Sequence, residues 1–187
     1  MVANYREAIL EAARKSVQSH GYSGLNMRQL AEVVGIKAAS IYYHFPSKAD
    51  LGAAVARRYW EDAAARLDAM VDGGADPATC LRNYPLTFRH SLESENRMCL
   101  GTYMAAEFED LPEAVRAEVL TFADINIAWL TKVLLAGGFV GEQGSAARAR
   151  AIYAAVVGAQ LVARSRADLP LYDELIESYR GAGLLPA

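Results

Sequence analysis

Apolar residues recur along this chain at spacings of three and four, and never in the strict alternation of a half-buried strand. The pattern predicts an all-α protein. Tyr5, Ile9, Ala13 and Val17 form one stripe, closed by His20-Gly21, where glycine is expected to supply a left-handed cap. Asn26 suits the N-cap of a short helix from Met27 to Val34 that stops at Gly35, and a second short helix runs from about Ala38 to His44. Pro46-Ser47 ends that unit. Ser47 and Asp50 have capping-box spacing and open a helix from Lys48 to Asp72, roughly 37 Å long, with Leu51, Val55, Tyr59, Ala63, Leu67 and Met70 on one face. Asp76-Pro77 opens the next helix, which Pro85 should kink. Further helices are expected from about Arg97 to Glu107, from Asp110-Leu111-Pro112-Glu113 to Ala136, from a Ser145 cap to about Arg164, and from about Leu169 to Arg180. That makes about nine helices, divided near Pro46-Ser47 into residues 1–46 and 47–187.

Composition narrows the class. Hydrophobic residues are 53% of the 187, enough for a sizeable core, which excludes disorder as a description of the whole. A net charge of −3 excludes a uniformly basic nucleic-acid coat. The charge is uneven, however. Residues 1–58 carry eight Lys/Arg against four acids, a sum of +4, and residues 59–187 carry the remaining −7. A basic head on an acidic body suits contact with a polyanion at one end, or is an ordinary solvated surface. Cys80 and Cys99 are too few for a disulfide framework and suit a reducing compartment. Arg6 and Glu7 interrupt the start where a secretion signal needs an apolar stretch. The run Val133 to Val140 is broken by Gly137 and Gly138 and falls far short of the ~20 residues that span a bilayer. The expectation is a cytoplasmic protein with no membrane partner.

The most informative stretch runs from Asn26 to Lys48, NMRQLAEVVGIKAASIYYHFPSK. Two short helices joined by a glycine turn make a helix-turn-helix when their facing positions are apolar, as Leu30, Ala31, Val34, Ile36 and Ile41 are. Tyr42-Tyr43-His44-Phe45-Pro46-Ser47-Lys48, followed by Leu51, resembles the DNA-binding signature of TetR/AcrR-type transcriptional regulators. The resemblance is specific over residues 5–51 and architectural beyond them. It implies an N-terminal three-helix bundle carrying the helix-turn-helix, followed by a helical ligand-binding and dimerisation domain. The second short helix would then enter the major groove. Lys37, Ala38, Ala39 and Ser40 lie at its reading end with Tyr43 one turn on, and Asn26 and Arg28 open the helix before it. Tyr42, His44 and Lys48 match family positions that contact the DNA backbone. Phe45 is read as a core plug. Many relatives place Ser or Thr where Lys37 stands, so no operator sequence carries over.

The same resemblance implies that the last two helices form a four-helix bundle with a second copy. Ile152, Val156, Ala159 and Ala163, with Leu171 and Leu175, are the candidate dimer contacts; packing within one chain is the alternative. Tyr84, Phe88, Met98, Cys99, Tyr103, Met104, Phe122 and Trp129 are either plain core or the lining of a pocket for a small apolar or aromatic effector. The segment from Met98 to Pro112 resembles a branch that includes electrophile-sensing regulators, which would make Cys99 a redox or electrophile sensor rather than a structural thiol.

Nothing points to catalysis: the chain has no G-x-S-x-G, no phosphate-binding glycine loop and no metal-ligand spacing, and His20, His44 and His90 are scattered. No cofactor, catalytic residue or metal site is therefore expected. Glu93, Glu95, Glu107, Glu109 and Asp110 read as a solvated acidic surface. The leading expectation is a homodimeric repressor released from operator DNA by an effector of unknown identity. The rival is an all-helical ligand carrier or enzyme without DNA binding.

Overall fold

A computed structural model describes residues 4–186, and among the described residues every regular element is a helix. The order is α1 (Tyr5–His20), α2 (Met27–Val34), α3 (Ala38–His44), α4 (Lys48–Asp72), α5 (Pro77–Asn83), α6 (Leu86–Glu93), α7 (Leu100–Ala106), a short 3₁₀ turn (Phe108–Asp110), α8 (Glu113–Ala136), α9 (Glu142–Arg166) and α10 (Leu169–Gly181).

The all-α expectation holds, with the fifth helix divided at Pro85 into α5 and α6. Proline has no N–H to continue the ladder, and α5 gives way to α6 there although Tyr84 (φ −52°, ψ −46°) and Pro85 (φ −60°, ψ −26°) keep helical backbone. Two other boundaries differ from expectation. Glu95 (φ 60°) and Asn96 (φ 53°) take left-handed backbone, which delays α7 to Leu100. Gly141, not Ser145, caps α9; Ser145 is buried inside the helix and donates to the Glu142 carbonyl at 2.8 Å.

The chain packs as two units: residues up to 62 with 99–122, and residues 63–98 with those from 123 onward. The first unit holds α1–α3, the start of α4, α7 and the start of α8 around Ile9, Ala13, Val17, Ile41, Phe45 and Leu51. This division does not follow Pro46-Ser47, because α7, which packs on α1, and the start of α8 belong to the same unit as α1–α3. The second unit is built around Leu81, Tyr84, Leu130, Leu134, Ile152 and Tyr172. Three buried polar side chains there are bonded to the backbone: Gln160 Nε2 donates to the Phe88 carbonyl at 2.7 Å, Tyr172 Oη to that of Pro85 at 2.7 Å, and Trp129 Nε1 to that of Leu67 at 2.9 Å.

α8 contains the first part of the run Val133 to Val140. Among the described residues it is the one helix long and apolar enough, at a mean hydropathy of 1.5, to cross a membrane by composition alone. Many of its apolar positions are core positions, although Leu120 and Leu135 are exposed. Val115, Val119 and Phe122 are buried in the first unit, and Trp129, Leu130, Val133 and Leu134 in the second.

The buried Glu118 on α8 accepts from Arg57 Nε at 3.0 Å and Trp60 Nε1 at 2.7 Å, both on α4. Burial pushes its carboxyl up, but the donors on Arg57 and Trp60 together outweigh that and hold it below the ordinary carboxylate range. In the second unit the paired Arg89 lowers Asp173 against a smaller opposing effect of burial. A carboxyl lowered in the fold contributes stability above its unfolded pKa and loses it as pH falls through the folded value. Melting temperature should therefore be insensitive to these two groups from neutral pH down to about 4.5, then fall on further acidification. The acid limb should be shallower in Glu118→Gln, and identical limbs in the two proteins would remove Glu118 from this account.

Candidate nucleic-acid interface

The helix-turn-helix consists of α2, its turn and α3. Asn26 Oδ1 accepts the N–H groups of Arg28 at 3.0 Å and Gln29 at 3.2 Å, so its side chain is committed to capping α2. Gly35 ends α2 at φ 74°, ψ 34°, with Ile36 N–H donating back to the Ala31 carbonyl at 2.9 Å. This left-handed closure, open to glycine at little cost, turns the chain into α3. Leu30, Ala31 and Ile41 are buried where the helices meet, whereas Val34 and Ile36 are only half-buried. Phe45 is 3% exposed, with the Arg6 guanidinium 5.3 Å from its ring centroid, and fills the core as expected.

Because Ile41 and Phe45 point inward, the residues between and before them point out. Tyr43 is 85% exposed and Tyr42 49%, and Lys37, Ala39 and Arg28 are exposed as well. Lys37 precedes α3 in extended backbone and makes no side-chain capping bond. Ala38, Ser40 and His44 are half-buried, and the His44 ring stands edge-on to Tyr43 at 5.3 Å. One short helix thus presents two phenols and an ammonium beside two methyl groups. That set can meet phosphates, guanine acceptors and thymine methyls.

Lys48, expected to contact the DNA backbone, has a bond within the chain. Its Nζ donates to the Ser23 carbonyl at 3.1 Å and lies 4.7 Å from the Tyr22 ring centroid, tying the start of α4 to the α1–α2 turn. Ser47 does cap that helix: its Oγ accepts the Asp50 N–H at 3.1 Å and donates to the Asp50 carboxylate at 2.7 Å.

A family profile described as bacterial regulatory proteins, tetR family, matches residues 9–55, which run from α1 into α4. The transcriptional repressor AcnR of Corynebacterium diphtheriae is 41% identical over 69 residues, a match covering 37% of this chain and 35% of that repressor. The transcriptional regulator RutR of Escherichia coli is 32% identical over 83 residues, covering 44% of this chain and 39% of its own. The chain thus matches little more than a third of the length of these relatives. A TetR transcriptional regulator from Legionella pneumophila is similar throughout: TM-score 0.90 and 30% identity, covering 97% of this chain and 98% of that one. The chain belongs to the TetR family. That family comprises transcriptional regulators rather than enzymes.

In this TetR family member the residues expected to line an effector pocket fall into both packing units. In the second, Tyr84 stacks on Trp129 at 5.7 Å, meets Phe88 edge-on at 5.6 Å, and donates from its hydroxyl to Asn126 Oδ1 at 2.9 Å; Met98 is also buried there. In the first, Cys99, Met104 and Phe122 are buried and Tyr103 is half-buried.

Cys99 lacks the surroundings of a sensor. It is 1% exposed, and burial pushes its thiol up despite hydrogen-bonding from Tyr59, Thr102 and Gly101, whereas a reactive cysteine needs exposure and a lowered pKa. Cys80 is also buried with a raised pKa. Neither thiol should react with a chromogenic disulfide reagent in the folded protein, and both should titrate in denaturant. A rapid reaction of one native thiol, mapped to position 99, would restore the sensor reading.

The expected dimer contacts also need correction. Ile152, Val156, Ala159 and Ala163 have 0–1% exposure within a single chain, so they have no surface left to bury against a second copy. Leu171 and Leu175 are half-buried. The outward face of α9 is carried instead by Leu161 (53% exposed), Val162 (41%) and the small Ala151 and Ala154.

Proposed function

We propose that the protein is a sequence-specific DNA-binding transcriptional repressor whose α3 reads the major groove. The observation that carries this is the outward display of Lys37, Tyr42 and Tyr43 on a helix whose opposite side, Ile41, is fully buried. Exposing two large aromatics on seven residues of helix has no folding advantage and suits stacking against, or hydrogen bonding to, a nucleic acid. AcnR, a repressor by name, shares 41% identity with 69 residues of this chain. Residues 1–46 would carry the DNA contacts, and residues 47–187 would bind a small apolar or aromatic effector and form the homodimer. Two-fold symmetry would present two copies of α3 to half-sites about one helical turn or more apart. The outward apolar face of α9, with Leu161 and Val162, supports its use as the contact between copies. Effector binding would favour a dimer state in which the two reading helices no longer match the half-sites.

Selection of bound sites from random duplex DNA is the test. The expected result is an enriched, two-fold symmetric sequence, bound with a log K that falls linearly with log salt. No enrichment, together with salt-independent behaviour, would sink the proposal and leave a ligand carrier.

A further inference from the structure

The turn between α1 and α2 is held from two sides. At the end of α7, Glu107 Oε2 accepts the Tyr22 N–H at 2.5 Å and Oε1 accepts the Ser23 N–H at 3.2 Å. From the start of α4, Lys48 Nζ donates to the carbonyl of the same Ser23. Ser23 therefore has a carboxylate on its N–H and an ammonium on its carbonyl, on two successive peptide units. The backbone is shaped to admit the carboxylate. Gly21 has φ 73° with ψ −175°, a region open essentially to glycine alone, and a Cβ there would lie 2.4 Å from Glu107 Oε2. The Tyr22 ring closes the third side, against Gly52 of α4, where an added Cβ would meet Cε2 at 2.6 Å.

We infer that Glu107 is a positioning residue for DNA reading: from α7 it fixes the α1–α2 turn, and through that turn the attitude of α2 and α3. The inference rests on the DNA-binding reading above. Residues 21–26 are the covalent link from α1 to α2, and the Asn26 cap begins three residues after Ser23. With the Tyr22 and Ser23 amides pinned, α2 starts in one direction; without that anchor it samples several, of which only some present α3 correctly. Carboxylate-to-amide bonds are charge-assisted and distance-sensitive, so an ångström of travel by α7 would release both. The affinity of a reader that must first be ordered falls by the fraction of time it is competent.

The test compares wild type, Glu107→Ala, Glu107→Gln and, as a control, Glu109→Gln. Amide exchange at Tyr22 and Ser23, melting temperature, and affinity for DNA selected by the wild type are measured on each. In Glu107→Ala both amides should exchange about tenfold faster and DNA affinity should fall about tenfold, with an unchanged salt slope because no phosphate contact is lost. Glu107→Gln keeps one carbonyl acceptor and should lie between, while Glu109→Gln should match wild type. If the alanine variant does not fold, the glutamine variant carries the comparison. Faster exchange with unchanged DNA affinity would make Glu107 a local structural residue and overturn the inference, as would unchanged exchange. Wild type that selects no DNA defeats the underlying reading instead, before any variant is made.

Discussion

Replacing Tyr84 with alanine should destabilise the protein by about 3–5 kcal/mol, measured by denaturant unfolding. The side chain is fully buried, stacked on Trp129 and edge-on to Phe88, and its hydroxyl donates to Asn126. Alanine removes all of these contacts and leaves a cavity the size of a phenol. Tyr84→Phe isolates the hydroxyl and should cost only about 1–2 kcal/mol. The pair separates two readings of the aromatic cluster. A tightly packed core gives the large loss, since filled interiors do not relax around a missing ring. A cluster that opens to admit an effector tolerates truncation, and a loss below about 1 kcal/mol for Tyr84→Ala would identify it as adaptable. Total stabilities of domains are only about 5–15 kcal/mol, so the larger outcome should be plain as a marked fall in melting temperature.

At the reading helix the expected pattern is the reverse. Tyr43 is 85% exposed and Lys37 is exposed without a capping bond, so truncating either to alanine should leave stability within about 0.5 kcal/mol. Affinity for the selected DNA should fall about tenfold for each, as expected for the loss of one groove or phosphate contact of about 1–3 kcal/mol. The two should differ in kind. If Lys37 neutralises a phosphate, Lys37→Ala lowers the salt slope by about one and weakens all sequences alike. If it reads guanine, the slope is little changed and preference is lost at one base pair. Tyr43→Ala should not alter the slope. Unchanged affinity in both variants would move the DNA contact away from α3.

Local signals in the sequence were reliable where neighbours in the chain are neighbours in space. The Asn26 cap, the Gly35 turn, the Ser47–Asp50 pair and the break between helices at Pro85 all depend on residues within a few positions of each other. The signature from Tyr42 to Lys48 likewise located the end of α3 and the start of α4. What escaped were pairings between distant residues and the choice of which face is buried. Glu107 reads as one of a run of surface acids, and its bonds to Tyr22 and Ser23 lie 85 and 84 residues away. Lys48 reads as a phosphate ligand because it matches a family position that contacts the DNA backbone, yet its ammonium also reaches back 25 residues to Ser23. On α9 the small residues Ala159 and Ala163 suggest close approach of another helix, which is correct. Composition does not say whether that helix belongs to the same chain, and the 0–1% exposure of this face shows that it does. Gly21 also departs from the expected left-handed cap: its φ is positive, but ψ is −175°, a geometry explained by the approach of a carboxylate.

The brevity of α3 has an evolutionary consequence. At seven residues, without a side-chain cap, it is well below the ~12–15 needed for a helix to persist alone, so its shape is borrowed from Ile41 and Phe45 beneath it. On the proposed function the labour is divided by side: inward residues would determine whether a reader exists, and outward residues what it reads. Lys37, Ala39 and Tyr43 can be exchanged with little effect on folding, so a duplicated gene could acquire a new target through a few outward substitutions while keeping every buried contact.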